Sequence, residues 1–384
     1  MDTIRASDVR QLASVEQGHC VSVYMPTFPG GIDEFQDHVR LKVLLDRAEQ
    51  QLIERGMDGV IARKMLVDPR AIAHDDAWWH DRSQGLAMFV SPDQFKVLRL
   101  PVAFEETVSV GRRFLIKQLL PLVTEDTDYF VLALSPNRVR FYRGSRFELN
   151  EVSVPGLPTN QADTLHYQPV DRGGQVHAGA VGRMGKQTAV YHGQGGHPDA
   201  QRDELRNFFR EVDGALHRVL REESAPLLLA TVERNLPAYR EVNTYTQLQD
   251  TVVAGSVEYL GEHELHEHAW PILQRRLEQQ RLEAVESCRS LVGTNRGSSK
   301  LPEILTAAAQ GRVETLFVDS SAKVWGTFVP TSGEVVVHDV CRPGDDELVD
   351  WVAAQTYLQR GTVYVVPTAQ VPVSGAPVTA VFRY

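Results

Sequence analysis

Ala307-Ala-Ala-Gln-Gly-Arg-Val-Glu-Thr-Leu-Phe-Val318 ends on six residues, from Val313 onward, that read as a strand, and the elements around it decide the fold. Upstream, apolar residues at helical spacing predict a long helix from about Leu265 to Ser290. Downstream, Val324-Trp-Gly-Thr-Phe328 and Val335-Val-Val-His338 read as two further strands. Glu347 to Tyr357 reads as a helix. Thr362-Val-Tyr-Val-Val366 and Val378-Thr-Ala-Val-Phe-Arg-Tyr384 then follow as strands. Helices that alternate with strands cover sheet faces, so this segment, from about Glu258, is predicted to be α/β.

Moving toward the N-terminus, Tyr129-Phe-Val-Leu-Ala-Leu134 has the continuous apolar character of a buried strand. Val139-Arg-Phe-Tyr142 follows after the turn Ser135-Pro-Asn137. A helix is predicted from Asp199 to about Glu223, then a strand at Ala225-Pro-Leu-Leu-Leu-Ala230 and a short helix from Leu236. Earlier still, Cys20-Val-Ser-Val-Tyr-Met25 alternates as a strand and Val39 to Ile53 as a helix. Gly85 to Val90 and Phe95 to Leu100 make a hairpin, and Phe114 to Val123 is predicted as a helix. The 384 residues exceed one ordinary core, and the breaks divide them into segments 1–125, 126–257 and 258–384. The expected fold is α/β with mixed elements in three domains.

The net charge of −10 argues against a protein that coats nucleic acid with its whole surface. The balance is uneven. Segment 1–125 has 15 basic and 18 acidic side chains, 126–257 has 14 and 16, and 258–384 has 11 and 16. If RNA is touched, the first two segments are therefore the better candidates. No run of 18 apolar residues is present, and the N-terminus lacks a secretory pattern, so the expectation is a cytoplasmic protein without a membrane span. Cys20, Cys288 and Cys341 lie far apart, with no metal or redox spacing. A reducing compartment fits that usage.

The stretch 172–198 is the most unusual in the chain. It holds eight glycines, the cations Arg172, Arg183 and Lys186, the histidines His177, His192 and His197, and no acidic residue. Glycine lets backbone approach a ligand closely, and the cations favour phosphate. Behind it, Leu205, Phe208, Phe209, Val212, Leu216, Val219 and Leu220 fall on one face of the predicted helix. Gly185-Lys186 is no Walker loop, because Ala180 stands where its first glycine belongs and Gln187 where its hydroxyl belongs. In His263-Glu-Leu-His-Glu-His268 the first two histidines are three apart rather than four, so a solvated helix start is expected there rather than a zinc site. No metal and no cofactor is expected.

The quoted stretch 307–318, Asp346-Glu-Leu-Val-Asp350, Gln359-Arg-Gly-Thr-Val-Tyr-Val-Val366 and the ending Ala380-Val-Phe-Arg-Tyr384 resemble the C-terminal domain of archaeo-eukaryotic release factors and Pelota. That domain is in turn similar to the ribosomal proteins that bind kink-turn RNA. Element order in the middle segment and the opening strand Val21 to Pro26 extend the likeness over most of the chain. The resemblance implies a bacterial, monomeric, ribosome-binding translation factor. Its first domain enters the decoding site and its middle domain reaches the peptidyl transferase centre. Its third domain meets a translational GTPase.

In release factors a Gly-Gly-Gln tripeptide stands just before the long helix and helps place the water that hydrolyses the peptidyl-tRNA ester. Here Gly173-Gly174-Gln175 stands well upstream, and His192-Gly193-Gln194-Gly195-Gly196-His197 occupies the place before the helix. Two readings follow. In one, the chain occupies the A site of idle or stalled ribosomes without catalysis, as hibernation factors of the bacterial branch do. Arg172, Arg183, Lys186 and His192 then meet ribosomal RNA, and the glycines allow close approach. In the other it is a peptidyl-tRNA hydrolase that uses Gln175 or Gln194. A non-ribosomal RNA- or protein-binding role stands third.

Overall fold

The computed structural model describes residues 2, 4–16, 18–28, 32–79, 83–125, 128–162, 198–255 and 258–384. They form two compact units, one of Met1–Asp126 together with Arg276–Tyr384, the other of Thr127–Arg275. The fold is mixed α/β with several sheets. The 30-residue helix Glu262–Leu291 begins in the second unit and ends in the first. Among the described residues no helix is long and apolar enough to cross a membrane.

In the first unit a four-stranded antiparallel sheet runs in the order Gln94–Leu100, Gly85–Ser91, Cys20–Pro26, Thr107–Gly111. Val23 on its central strand pairs with Met88 on one side and Val108 on the other. Alternation sends Val21, Val23 and Met25 to one face, against Leu41, Leu44, Leu45, Ala48 and Leu52 of the helix Ile32–Glu54. Ser22 and Tyr24 fall on the opposite face and are also fully buried.

That second face explains why 114–123 is not the helix its apolar spacing predicts. The Leu115 amide donates to Ser22 Oγ at 2.9 Å, and the Tyr24 hydroxyl donates to the Leu115 carbonyl at 2.6 Å. The amides of Ile116 and Lys117 donate to Asp350. With these backbone groups bound to side chains, only the 3-10 turn Lys117–Leu119 and the short helix Pro121–Thr124 form.

The C-terminal part of this unit carries a sheet in the order Gly297–Ser298, Val378–Phe382, Val313–Asp319, Thr362–Val366. Its last two strands are parallel, with Leu316 opposite Val363. A parallel pair requires a crossover, and the connection between them contains the helix Leu348–Leu358. The same connection carries a three-stranded sheet of Glu334–His338, Trp325–Val329 and Asp346–Glu347.

The second unit is a five-stranded sheet in the order Leu149–Glu151, Val139–Gly144, Tyr129–Leu134, Leu227–Thr231, Val253–Ala254. Phe130, Leu132 and Leu134 face Phe208, Phe209, Val212, Leu216 and Leu220 of the helix Pro198–Leu220. Tyr129, Val131 and Ala133 face Leu265, Ala269 and Leu273 of the long helix. A strand covered on both sides has no polar face, hence the uninterrupted apolar run.

Candidate functional site

Arg172, Gly173, Gly174, Gln175, Arg183, Lys186, His192, Gly193, Gln194, Gly195, Gly196 and His197 lie outside the described residues, as does His177. The helix that follows them is described in detail. Tyr129–Leu134 and Leu227–Thr231 are parallel, so the chain between them must cross over, and this helix belongs to that crossover. Its buried Asp213 accepts from the Thr244 amide at 3.0 Å and from the Thr244 hydroxyl at 2.8 Å. His217 Nδ1 lies 3.3 Å from the same hydroxyl. Arg206 pairs with Glu241 at 2.7 Å. Arg202, Arg210, Arg218 and Arg221 stand exposed on the helix or just beyond its end. Arg210 donates to Asn207 at 2.7 Å, and Arg221 pairs with Glu222 at 3.0 Å.

The histidine cluster opens the long helix. His263 lies 3.5 Å from Glu267, and His266 Nε2 is 3.1 Å from the Ser145 carbonyl oxygen. Among the described residues no group of three or more His, Cys, Asp or Glu side chains is arranged to hold a metal. Cys20 is buried in its strand, with Sγ 3.6 Å from the Arg112 carbonyl oxygen.

A second polar cluster, not foreseen from the sequence, lies in the first unit, where the N-terminal and C-terminal parts pack together. One carboxylate oxygen of Asp350 accepts from the Ile116 amide at 2.8 Å and the Lys117 amide at 2.6 Å. Lys117 Nζ donates to the Ala322 carbonyl at 2.5 Å. Glu347 accepts from the amides of Val324 (2.8 Å), Val349 (3.2 Å) and Asp350 (2.6 Å), and so caps the helix Leu348–Leu358. Lys117, Glu347 and Asp350 are all buried.

A cavity of about 200 Å³ adjoins them, lined by Tyr24, Lys117, Ser320, Lys323 and Trp325 among others. Burial, reinforced by the charge of Glu347, pushes the Asp350 carboxyl up to about 7 against the pull of the amide bonds and Lys117. Burial raises Glu347 as well, opposed by Lys117 and its amide donors. The acids hold backbone and balance one lysine, so chemically they form a bracket. In the sequence, Asp346-Glu-Leu-Val-Asp350 reads as the start of a helix and as one of the stretches that carry the family resemblance, with no sign of a buried cluster. Lys117 lies 233 positions away from Asp350, and no local pattern joins the two.

The described architecture is that of a multi-sheet α/β protein. One of its units is a five-stranded sheet held between two helices, with a glycine-rich cationic stretch in the crossover ahead of one of them. Residues 128–312, slightly under half of the chain, match the model of bacterial archaeo-eukaryotic release factor family 3. The release-factor resemblance, in its bacterial branch, therefore holds over this stretch, which includes the five-stranded sheet and both of its covering helices.

Solved structures are similar at low identity. A crystal structure of an archaeal translation termination factor is 13% identical, with a TM-score of 0.23, and the match covers 100% of this chain and 99% of that one. Archaeal Pelota in a model of ribosome-bound Pelota and ABCE1 is 11% identical, with a TM-score of 0.38 and coverage of 100% and 95%. Archaeoglobus fulgidus Pelota is 11% identical, with a TM-score of 0.32 and coverage of 100% and 94%. No curated protein matches the chain.

Proposed function

We propose that this chain is a ribosome-associated translation factor of the release-factor type, which occupies the A site of idle or stalled ribosomes and acts there by binding. The observation that carries the reading is the release-factor match over residues 128–312, which contains the acid-free stretch 172–198 with its three fixed cations. In this reading segment 1–125 enters the decoding site, 126–257 reaches toward the peptidyl transferase centre, and 258–384 meets a translational GTPase. Arg172, Arg183, Lys186 and His192 meet RNA phosphates, and Gly173, Gly174, Gly193, Gly195, Gly196 and His197 pass close to the RNA.

Binding without hydrolysis is favoured by the position of Gly173-Gly174-Gln175, some 23 residues before the helix begins at Pro198. A hydrolytic glutamine must hold water within hydrogen-bond reach of the ester, and that placement depends on the short spacing that is absent here. The test is co-sedimentation with bacterial 70S ribosomes, vacant and carrying peptidyl-tRNA, across a salt series. The expected result is binding to vacant ribosomes with the peptidyl-tRNA left intact. Peptide release that disappears in Gln175→Ala or Gln194→Ala would establish a hydrolase instead. Absence of binding to either ribosome at low salt would refute the ribosomal reading.

A further inference from the structure

The buried cluster in the first unit plays no part in the ribosomal reading, yet it joins parts of the chain more than 200 positions apart. Glu347 faces Asp350 from its own helix, and Lys117 from the 3-10 turn. Tyr24 of the central strand lies within reach of the Asp350 charge. Asp319, at the end of its strand, acts on Lys117 and accepts from Ser321 and Thr368.

Other groups nearby have partners of their own. Lys323 pairs with Glu105 at 2.8 Å and Arg112 with Asp346 at 2.7 Å, and His338 Nδ1 lies 2.9 Å from Asp345. Arg113 pairs with Glu16 at 2.7 Å and lies over Trp351, and Glu106 lies between Arg40 and Arg47. With both acids ionised, Glu347 and Asp350 face the single positive charge of Lys117, on which Asp319 also acts. A buried excess charge is costly, and one proton on the acid pair reduces it.

We propose that Lys117, Glu347 and Asp350 form a proton-operated latch, which closes the N-terminal part of the unit onto the C-terminal part while the acid pair holds a proton and loosens when both acids are ionised. The geometry makes Asp350 the moving piece, because its one oxygen takes two amides from the opposite side of the seam. Opening exposes the carboxyl to water and frees both amides. The direction follows from the carboxyl lying at about 7 in the closed seam against 3.8 when free. A raised carboxyl stabilises the closed form at low pH, and this stabilisation is lost as pH rises between those values and is level above them.

The experiment is hydrogen exchange at the Ile116 and Lys117 amides of the full chain from pH 5 to pH 8, after correction for intrinsic exchange rate. Protection should fall on the order of a hundredfold across that range in the unmodified protein, the ratio that the two carboxyl values set. In Asp350→Asn, whose Oδ1 can accept the same amides without charge, protection should be independent of pH. Should that variant fail to fold, Glu347→Gln decides. Removing the like charge should then move the transition to lower pH. Flat protection in the unmodified protein, an unchanged slope in Asp350→Asn, or an unmoved transition in Glu347→Gln would overturn the latch.

Discussion

A Cβ built on Gly326 would stand 2.0 Å from the Val336 carbonyl oxygen and 3.1 Å from Leu348 Cδ1. The first of these is backbone in the paired strand, which cannot swing aside as a side chain can. Gly326→Ala must therefore spread the Trp325–Val329 and Glu334–His338 pair or push it off Leu348. The expected cost is roughly 1–3 kcal/mol, the usual range for overpacking a tight site, read as a lower urea midpoint at unchanged slope. At this scale the sequence offers composition without partners. Val324-Trp-Gly-Thr-Phe328 shows a glycine in a strand, which marks a bulge or a close approach, but not which atom approaches. The Asp350 cluster has the same property, because its burial and its lysine come from long-range packing.

Elements were more legible than residues wherever one face is apolar and the other is not. Phe208, Phe209, Val212, Leu216 and Leu220 are buried on the helix Pro198–Leu220 and Leu205 is half-buried, as their spacing predicts, whereas Val219, counted on the same face, lies at its edge and is exposed. The prediction for 114–123 failed because periodicity counts apolar side chains and is blind to where backbone hydrogen bonds go. Ser22, Tyr24 and Asp350 claim those groups from distant positions. Asp213 tests how much one buried polar anchor contributes to an element. Asp213→Ala leaves the Thr244 amide and hydroxyl without their acceptor, and should cost about 1–3 kcal/mol. Thermal unfolding together with hydrogen exchange of 210–220 checks it. Thr244→Val, which keeps the amide bond and removes the hydroxyl bond, should cost less. An equal cost would place the stabilisation in the hydroxyl alone.

On the scale of the whole molecule, an acidic chain is proposed to bind a polyanion, and the two are compatible only if binding is local. The acid excess in residues 258–384 is 5, from 16 acidic and 11 basic side chains, whereas the stretch 172–198 has no acid at all. That stretch is legible in the sequence by its composition alone, and all of it up to the helix start at Pro198 lies outside the described residues. Its contribution must appear as salt dependence. Arg183→Glu with Lys186→Glu removes two cations that displace counterions from RNA, so the slope of log affinity against log salt should flatten by about one for each cation lost. Affinity itself should fall most at low salt, where those contacts are least screened. Sedimentation with vacant 70S ribosomes at several salt concentrations measures both quantities in one series. A drop in affinity without a change in slope would mean that the substitutions act through folding. An unchanged slope and unchanged affinity would assign the RNA contact to other residues, with the exposed Arg202, Arg210, Arg218 and Arg221, on or just past the helix that follows the segment in sequence, the next to substitute.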